Sequence, residues 1–267
     1  MLLFMRGVAR YSVAITEMLM KRFYAKLNYF SNAEKALWTA SVCLIVCAYF
    51  AFGGEGVLTL IASLIGVTSL IFAAKGNPLG PLLMVVFSVI YGCISYVCAY
   101  YGELITYVGM TLPMSVWSLI AWLRHPYDGK RSQVTVNAKL SGREWALLAL
   151  LTAAVTALFW FILGALGTAN LLPSTVSVAT SFAAVYLTAR RSPYYAIAYA
   201  CNDIVLIVLW VMMSLKDRGC ISVAVCFVAF LVNDLYGFFN WKRMEKRQSE
   251  GDFVAFVEKS GEKGQNL

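Results

Sequence analysis

Charged side chains are scarce in this sequence, and their scarcity excludes an ordinary soluble domain. Only 13% of the 267 residues are Asp, Glu, Lys or Arg, while 60% are hydrophobic. A soluble domain carries about 25% charged and about 45–50% apolar residues. Eight long stretches lack Lys and Arg altogether, and six of these lack acidic residues as well. Because a helix of ~20 such residues crosses a bilayer, the sequence predicts a polytopic membrane protein.

The sequence also lacks the residue groupings that hydrolytic or metal chemistry needs. Its only histidine, His125, precedes Pro126, which excludes the H-E-x-x-H zinc motif. The seven cysteines form no C-x-x-C pair, and we interpret them as small apolar packing residues. Asp203 and Asp234 are available for intramembrane aspartyl proteolysis, but neither stands in the Y-D or G-x-G-D context of such enzymes. We therefore expect no catalytic residue, no cofactor and no metal, and a protein that is not an enzyme.

The N-terminal segment is not typical of a secretory signal. Arg6 and Arg10 interrupt its apolar stretch, and no clean small-residue cleavage site follows. We instead predict that residues 1–35 form a basic, amphipathic segment that is cytoplasmic or lies on the inner membrane surface. A seven-helix receptor is also disfavoured, because the loops between the apolar stretches are too short to offer much signalling surface.

Eight apolar segments make up the predicted transmembrane transport domain at 36–241. They do not alternate as the ~10-residue strands of a membrane barrel do, so the fold class is all-α. The first segment is short, which leaves seven spans as the alternative. Residues 242–267 are charged and contain glycine, and they are predicted to form a cytoplasmic tail that is disordered in part. The predicted spans are 36–53, 57–74, 79–100, 104–123, 145–166, 171–189, 194–215 and 220–241.

The net charge of +8 is placed in a way that favours a membrane partner over a nucleic acid. When the loops are assigned alternately to two faces, 20 of the 22 Lys and Arg residues fall on one face. The other face receives only Lys216 and Arg218. An excess of Lys and Arg marks the cytoplasmic side, so both termini and the loop at 124–144 are predicted to be cytoplasmic.

A faint internal repeat links the fourth and eighth spans at an offset of 119 residues. The segment PMSVWSLIAW at 113–122 aligns with VNDLYGFFNW at 232–241, and each ends in Trp. Two three-helix units can run in the same direction only if a single helix joins them. We therefore predict a parallel 3+1+3 arrangement with an additional N-terminal helix. The repeats lie near 57–123 and 171–241, the linker helix is 145–166, and a substrate site is expected between the halves near mid-membrane.

Polar side chains inside the last spans are the strongest functional signal. A charge at the centre of a spanning helix costs ~2.5–3.5 kcal/mol on insertion scales, yet two Asn-Asp pairs occur there. At 100° per residue, stripes of aromatic side chains and neutral hydrogen-bonding groups form on three spans. These groups suit a flat, uncharged ring bearing an amide and hydroxyls, whereas a phosphorylated ligand calls for Arg or Lys. The candidate substrate-binding residues are Ser115, Trp122, Tyr195, Tyr199, Asn202, Asp203, Trp210, Asn233, Asp234 and Tyr236.

Each of these residues also has a purely structural interpretation. The asparagines can hold helices together at ~0.6 kcal/mol each. The aspartates can be structural partners, cavity-lining groups or carriers of a coupled proton. Trp122 and Trp241 stand near the ends of their spans, where Trp commonly anchors the membrane interface. Ser115 and Ser118 can serve as small residues for close packing.

The same residues carry a resemblance to the PnuC family of bacterial vitamin transporters. The motif L-x-N-x-x-Y-G-x-x-x-W is present at 231–241. Asn202 is followed eight residues later by Trp210. A third pattern, Y-Y-G-E, then L-P-M, then Trp at the end of the span, occupies 100–122. Their order and spacing across four spans carry the resemblance over roughly residues 77–243.

The resemblance implies a SWEET-like fold, a homotrimer and a solute pathway through each protomer in the bacterial inner membrane. It implies uptake of nicotinamide riboside by facilitated diffusion, followed by phosphorylation by a separate cytosolic kinase. The sequence departs from the family at Ser115, where members carry Gln, at 192–195, where they carry an acidic-Gln-Trp cluster, and at Ala198, where they carry Trp. Thiamine, riboflavin or another nucleoside-like vitamin therefore remains an alternative substrate, and an intramembrane enzyme is a distant one.

Overall fold

The computed structural model describes residues 29–53, 56–97, 101–168, 170–215, 218 and 220–265. Residues 1–28 of the interfacial segment predicted at 1–35 lie outside the described residues. In chain order the elements are α1 (Asn32–Phe52), α2 (Val57–Ala74), α3 (Leu79–Val97), α4 (Tyr101–Leu104), a π-helical segment (Ile105–Thr111), α5 (Leu112–Arg124), β1 (Pro126–Tyr127), β2 (Lys130–Val134), α6 (Gly142–Ala165), α7 (Leu171–Ala189), α8 (Tyr195–Ser214) and α9 (Cys220–Gln265).

Eight helical segments in the described part of the chain are long and apolar enough to cross a membrane. They are α1, α2, α3, the π-helical segment together with α5, and α6 to α9. This confirms the predicted helical class and the count of eight, with boundaries that shift by a few residues. Helix α6 begins at a capping box in which Ser141 Oγ accepts from the Glu144 N–H and the Glu144 carboxylate accepts from the Ser141 N–H.

Two turns with the same geometry connect α2 to α3 and α7 to α8. Each contains a residue with positive φ, Gly76 at 66° and Arg191 at 58°. In both turns the next residue donates its backbone N–H to the carbonyl five positions earlier, at 3.0 Å. This is the Schellman ending of a helix. The two turns are 115 residues apart, close to the offset of the predicted repeat, which itself stays a prediction.

A two-stranded antiparallel sheet follows α5, and the all-helical prediction missed it. Asp128 and Gly129 form its turn with φ values of 50° and 67°. Positive φ at both central residues defines a type I′ hairpin turn, for which Asp-Gly is a favoured sequence. The backbone N–H groups of Val134 and Asn137 then donate to the carbonyls of Gly76 and Arg191, both at 2.9 Å. The hairpin segment is thus hydrogen-bonded to both of the similar turns.

Helix α9 extends well beyond the predicted end of the eighth span. The sequence predicted partial disorder after residue 241, but the helix continues to Gln265. An ion pair between Lys242 and Glu245, at 2.7 Å, supports the extension. Gln248 anchors it to the hairpin segment, because its Oε1 accepts from Val136 N–H at 2.7 Å and its Nε2 donates to the Val134 carbonyl at 3.0 Å. A cytoplasmic location for residues 242–267 stays a prediction.

Small residues allow α2 to approach its neighbours closely. A Cβ atom added to Gly80 in α3 would lie 2.7 Å from the backbone nitrogen of Ala73 in α2. A Cβ atom added to Gly66 in α2 would lie 2.6 Å from the Phe230 ring in α9. Ser69 in α2 also donates its hydroxyl to the Gly80 carbonyl at 2.8 Å. Close backbone approach through small residues is typical of helix packing in membranes.

Large apolar side chains on α1 and α6 remain exposed. Phe50 in α1 is 75% exposed, and Leu150 and Phe161 in α6 are 67% and 73% exposed. A soluble monomer rarely keeps such broad apolar faces in contact with water. These faces are therefore suited to contact with lipid chains or with another protein.

Candidate functional site

A cavity of about 480 Å³ lies within the helical bundle. Its walls come from α2, α3, α4, the π-helical segment, α7, α8 and α9, together with the end of α6 and the residues that follow it. Pockets for small organic molecules have volumes of ~300–1,000 Å³. The cavity is therefore large enough for a small organic solute.

The cavity lining combines flat rings with neutral hydrogen-bonding groups and two carboxyls. No Lys, Arg or His occurs among the described lining residues. The aromatic lining residues are Phe87, Tyr107, Tyr199, Trp210, Phe227 and Phe230. The aliphatic hydroxyls come from Thr106, Thr111, Thr168, Ser174, Ser177 and Ser181. The remaining polar groups are Asn202, Asp203 and Asp234.

The cavity reaches the end of the bundle where α6 connects to α7 and α8 connects to α9. Its lining there includes Gly167 and Thr168 after α6, Met213 near the end of α8 and Cys220 at the start of α9. Under the orientation predicted from the Lys and Arg distribution, this end is the non-cytoplasmic one.

The π-helical segment widens the helix at the cavity wall. Its wider hydrogen-bonding pattern ends where the Leu112 N–H donates to the Tyr107 carbonyl, five residues back. Pro113 follows and has no N–H with which to continue a regular ladder. The Thr106 hydroxyl donates to the Gly102 carbonyl at 2.9 Å, and the Thr111 hydroxyl donates to the Thr106 carbonyl at 3.2 Å. Such π-helical turns occur often at functional sites, and three residues of this one line the cavity.

Asn202 on α8 is held at the cavity wall by hydroxyls from α7. Its Oδ1 atom lies within hydrogen-bonding distance of the hydroxyls of Ser177 at 3.1 Å, Thr180 at 2.9 Å and Ser181 at 3.0 Å. Only 6% of the residue is exposed. Within the described part of the chain its Nδ2 group has no acceptor. The carboxamide is thus fixed in orientation and keeps two N–H donors for a ligand carbonyl or hydroxyl.

Asn233 on α9 does not line the cavity. Its Nδ2 donates to the Ser41 hydroxyl on α1 and to the Ala229 carbonyl, both at 2.8 Å. The residue is 1% exposed. The sequence led us to expect Asn202 and Asn233 on one cavity, but Asn233 turns toward α1 instead. This contact matches the helix-holding interpretation, and a role of Asn233 in substrate binding stays a prediction.

Asp203 on α8 and Asp234 on α9 meet at the cavity wall. Each is 3% exposed, both line the cavity, and their carboxyls are within hydrogen-bonding reach of each other. No N–H or hydroxyl donor in the described part of the chain reaches Oδ2 of Asp203. A buried polar atom without a donor is costly, so this carboxyl pair is an unfavourable feature of the described conformation.

Trp122, Trp241 and Tyr195 form an aromatic cluster, here called the Trp seal, at the other end of the bundle. The Trp241 ring centroid lies 5.4 Å from that of Trp122 and 5.0 Å from that of Tyr195. All three residues are at most 2% exposed. The Trp122 indole donates to the Thr188 carbonyl and the Trp241 indole to the Ala73 carbonyl, both at 2.8 Å. The interface-anchoring interpretation of Trp122 and Trp241 was wrong, because both rings are buried within the protein.

A small void of about 20 Å³ lies between the cavity and the Trp seal. Tyr199 lines both spaces, and Tyr195 belongs to both the void and the Trp seal. The Oγ atoms of Ser115 and Ser118 are buried at this void and have no partner in the described residues. The void is of the size of one water molecule, so a solute cannot pass through it unless the surrounding helices separate.

The predicted site residues therefore divide into two groups by position. Those that line the cavity are Tyr199, Asn202, Asp203, Trp210 and Asp234. Those outside its lining are Ser115, Trp122, Tyr195, Asn233 and Tyr236. Their roles toward a substrate stay predictions. The sequence analysis missed the hydroxyls of α7, although Ser174, Ser177 and Ser181 recur at the spacing of one helical face.

A membrane-spanning bundle with a solute-sized cavity toward one end and a closed aromatic cluster toward the other defines a solute transporter. The chain belongs to the family described as nicotinamide mononucleotide transporter, whose family model matches residues 56–243. The sequence-based resemblance to the PnuC family is thereby confirmed. The SWEET-like repeat arrangement stays a prediction.

Two relatives carry the name nicotinamide riboside transporter PnuC. The protein from Neisseria mucosa is 26% identical over 218 residues, which cover 80% of this chain and 83% of that protein. The protein from Haemophilus influenzae is 22% identical over 191 residues, which cover 71% of this chain and 81% of that protein.

A solved structure, the crystal structure of the vitamin B3 transporter PnuC, has the same fold. It superimposes with a TM-score of 0.68 and covers 82% of this chain and 94% of the solved one. The two sequences are 22% identical, so the match establishes the fold alone.

Proposed function

We propose that this protein is a transporter that takes up nicotinamide riboside across the bacterial inner membrane by facilitated diffusion. The observation that carries the proposal is the cavity of about 480 Å³ with aromatic, hydroxyl and amide groups on its walls. Two relatives named as nicotinamide riboside transporters support the choice of solute. A separate cytosolic kinase that phosphorylates the solute would hold it inside the cell, because transport of this kind only equalises concentrations.

The cavity chemistry suits a nucleoside with an aromatic amide base. Phe87, Tyr107 and Trp210 offer ring faces on which a flat base stacks. Asn202 offers two N–H donors, which match the carbonyl of a carboxamide or the hydroxyls of a ribose. The absence of Lys and Arg among the described lining residues favours an unphosphorylated solute over its phosphate ester.

The described conformation corresponds to an outward-facing state if both termini are cytoplasmic. The cavity then approaches the non-cytoplasmic side, and the Trp seal blocks the cytoplasmic side. Transport requires a second conformation in which α2 and α7 move away from the two indoles that bond their carbonyls. Alternation between two such states is the mechanism we assign to uptake.

We also propose that the protein is a homotrimer without enzymatic activity. The exposed apolar side chains of α6, such as Leu150 and Phe161, give the protomer a surface for lipid or for another copy. Native mass spectrometry of the detergent-solubilised protein tests the stoichiometry, with a mass of three chains as the expected result. A dominant mass of one or two chains would contradict it.

Uptake by liposomes that contain the purified protein tests the function. Radiolabelled nicotinamide riboside should enter until the inner and outer concentrations are equal, with the membrane potential held at zero and no ion gradient imposed. Its phosphate ester, nicotinamide mononucleotide, should not enter and should not compete. If thiamine or riboflavin competes strongly and nicotinamide riboside does not enter, the assignment of the solute is wrong while the transporter class stands.

A further inference from the structure

The Asp203–Asp234 pair is an acidic group on the cavity wall that no basic side chain of the described lining balances. Both residues are 3% exposed and line the cavity, and their carboxyls are in contact. No Lys, Arg or His lies among the described lining residues. Two facing carboxylates repel each other and are disfavoured by burial, so a cation that enters the cavity favours the ionised form of the pair.

A cation in the cavity would supply the counter-charge that the described lining lacks. A carboxylate at membrane depth without a counter-charge is strongly unfavourable, so the pair ionises at least cost when a positively charged solute is beside it. The environment also contains ring faces, including those of Tyr107, Tyr199 and Trp210. Aromatic faces attract cations. A flat ring that carries a positive charge satisfies both the carboxyl pair and the rings.

We infer that the Asp203–Asp234 pair makes the cavity selective for solutes whose aromatic ring is positively charged over neutral rings of the same shape. This inference differs from the uncharged ring that the sequence predicted. The inference rests on the proposed function, because nicotinamide riboside carries a pyridinium cation. Its reduced dihydro form has nearly the same size and no charge, which provides a matched pair of solutes.

The two aspartates are specificity-determining residues in this account. A Coulomb attraction between the cation and the pair is lost when the charge is removed, whereas stacking and hydrogen bonding to the ribose are retained. Asp203→Asn and Asp234→Asn preserve side-chain shape and replace a carboxylate by a neutral amide. Asp128→Asn in the hairpin turn is the matched control, because Asp128 lies outside the cavity lining and Asn tolerates its positive φ.

Equilibrium binding of both solutes to the purified full-length protein, by calorimetry, tests the inference. The wild type and Asp128→Asn should bind the cation at least about tenfold more tightly than the reduced form. In the double variant Asp203→Asn/Asp234→Asn this preference should vanish, through weaker binding of the cation and with binding of the reduced form retained. The melting temperature of each variant, measured in the same detergent, shows that the protein is folded.

Five outcomes would overturn the inference, and they are distinguishable. Equal binding of the two solutes by the wild type removes the charge preference itself. An unchanged preference in the double variant removes the role of the pair. An equal loss of binding of both solutes in a folded double variant indicates that the pair positions other groups of the cavity and does not select by charge. Uptake that depends on an inward proton gradient in the wild type and not in the variants assigns the pair to proton coupling. Failure of the wild type to bind either solute overturns the proposed function, and this inference with it.

Discussion

Replacing Trp241 by phenylalanine tests whether the Trp seal closes the pathway at the end of the bundle opposite the cavity mouth. The substitution keeps an aromatic ring against Trp122 and Tyr195 but removes the indole N–H that donates to the Ala73 carbonyl at 2.8 Å. That bond joins α9 to the end of α2. Its loss should therefore favour the conformation in which the two helices separate.

The size of the effect follows from the bonding of the Ala73 carbonyl. This carbonyl also accepts the Gly76 N–H at 2.8 Å, so it keeps one partner after the substitution. The net loss is then about 1 kcal/mol, the typical contribution of one intramolecular hydrogen bond. A shift of 1 kcal/mol changes the ratio of open to closed protein about fivefold. The smaller phenyl ring loses packing as well, so fivefold is a lower bound.

Thiol labelling at position 118 measures this shift. Ser118 is 1% exposed and lines the small void behind the Trp seal. A Ser118→Cys variant in everted membrane vesicles should react slowly with a membrane-impermeant thiol reagent. Adding Trp241→Phe should raise the rate about fivefold or more. Protein without Ser118→Cys gives the background from the native cysteines.

The control for the labelling experiment is Trp117→Phe. Trp117 lies on the same helix as Trp122, is 40% exposed and takes no part in the Trp seal. Its replacement should leave the labelling rate unchanged. An unchanged rate for Trp241→Phe, or an equal increase for Trp117→Phe, would refute the assignment of the Trp seal as the closed end of the pathway.

Two further predictions concern the helix contacts that surround the cavity. Asn233→Ala should lower the melting temperature through a loss of about 1 kcal/mol, because it removes the bond to Ser41. If Asn233 only holds helices together, solute affinity stays within about twofold, whereas a large loss of affinity in a folded variant would place Asn233 in the binding site. Gly80→Ala should destabilise the protein by about 1–3 kcal/mol, because the new Cβ would lie 2.7 Å from the Ala73 backbone; an unchanged melting temperature would show that the α2–α3 contact relaxes freely.

The spans could be predicted from the sequence because hydrophobicity is summed over many residues. Eight apolar stretches with at most one charged residue each indicate buried or membrane-spanning helices, and small boundary errors do not change the result. The hairpin at 126–134 was missed for the opposite reason. Its signal was the single dipeptide Asp128-Gly129, with two short strands that have no hydrophobic pattern of their own.

The cavity itself could be predicted only in part. Asn202 and Asn233 occupy similar Asn-Asp pairs, yet one faces hydroxyls of α7 and the other faces Ser41 on α1. A helical wheel gives the face that a residue occupies but not the neighbour that packs against that face. The same limit applies to Trp122 and Trp241, whose position near helix ends fits both an interface anchor and a buried seal. Only the three-dimensional packing distinguishes these cases.

The most direct test of the central claim is the binding isotherm of nicotinamide riboside for the Asn202→Ala variant. The carboxamide is fixed at the cavity wall by three hydroxyls, so its removal should weaken binding about tenfold, the equivalent of one well-placed hydrogen bond to the solute. Asn137→Ala, in the segment after β2, is the matched control, because it removes a carboxamide that lies outside the cavity lining. This variant should bind nicotinamide riboside as tightly as the wild type does. Equal affinity of both variants and the wild type would contradict the assignment of this cavity as the solute site.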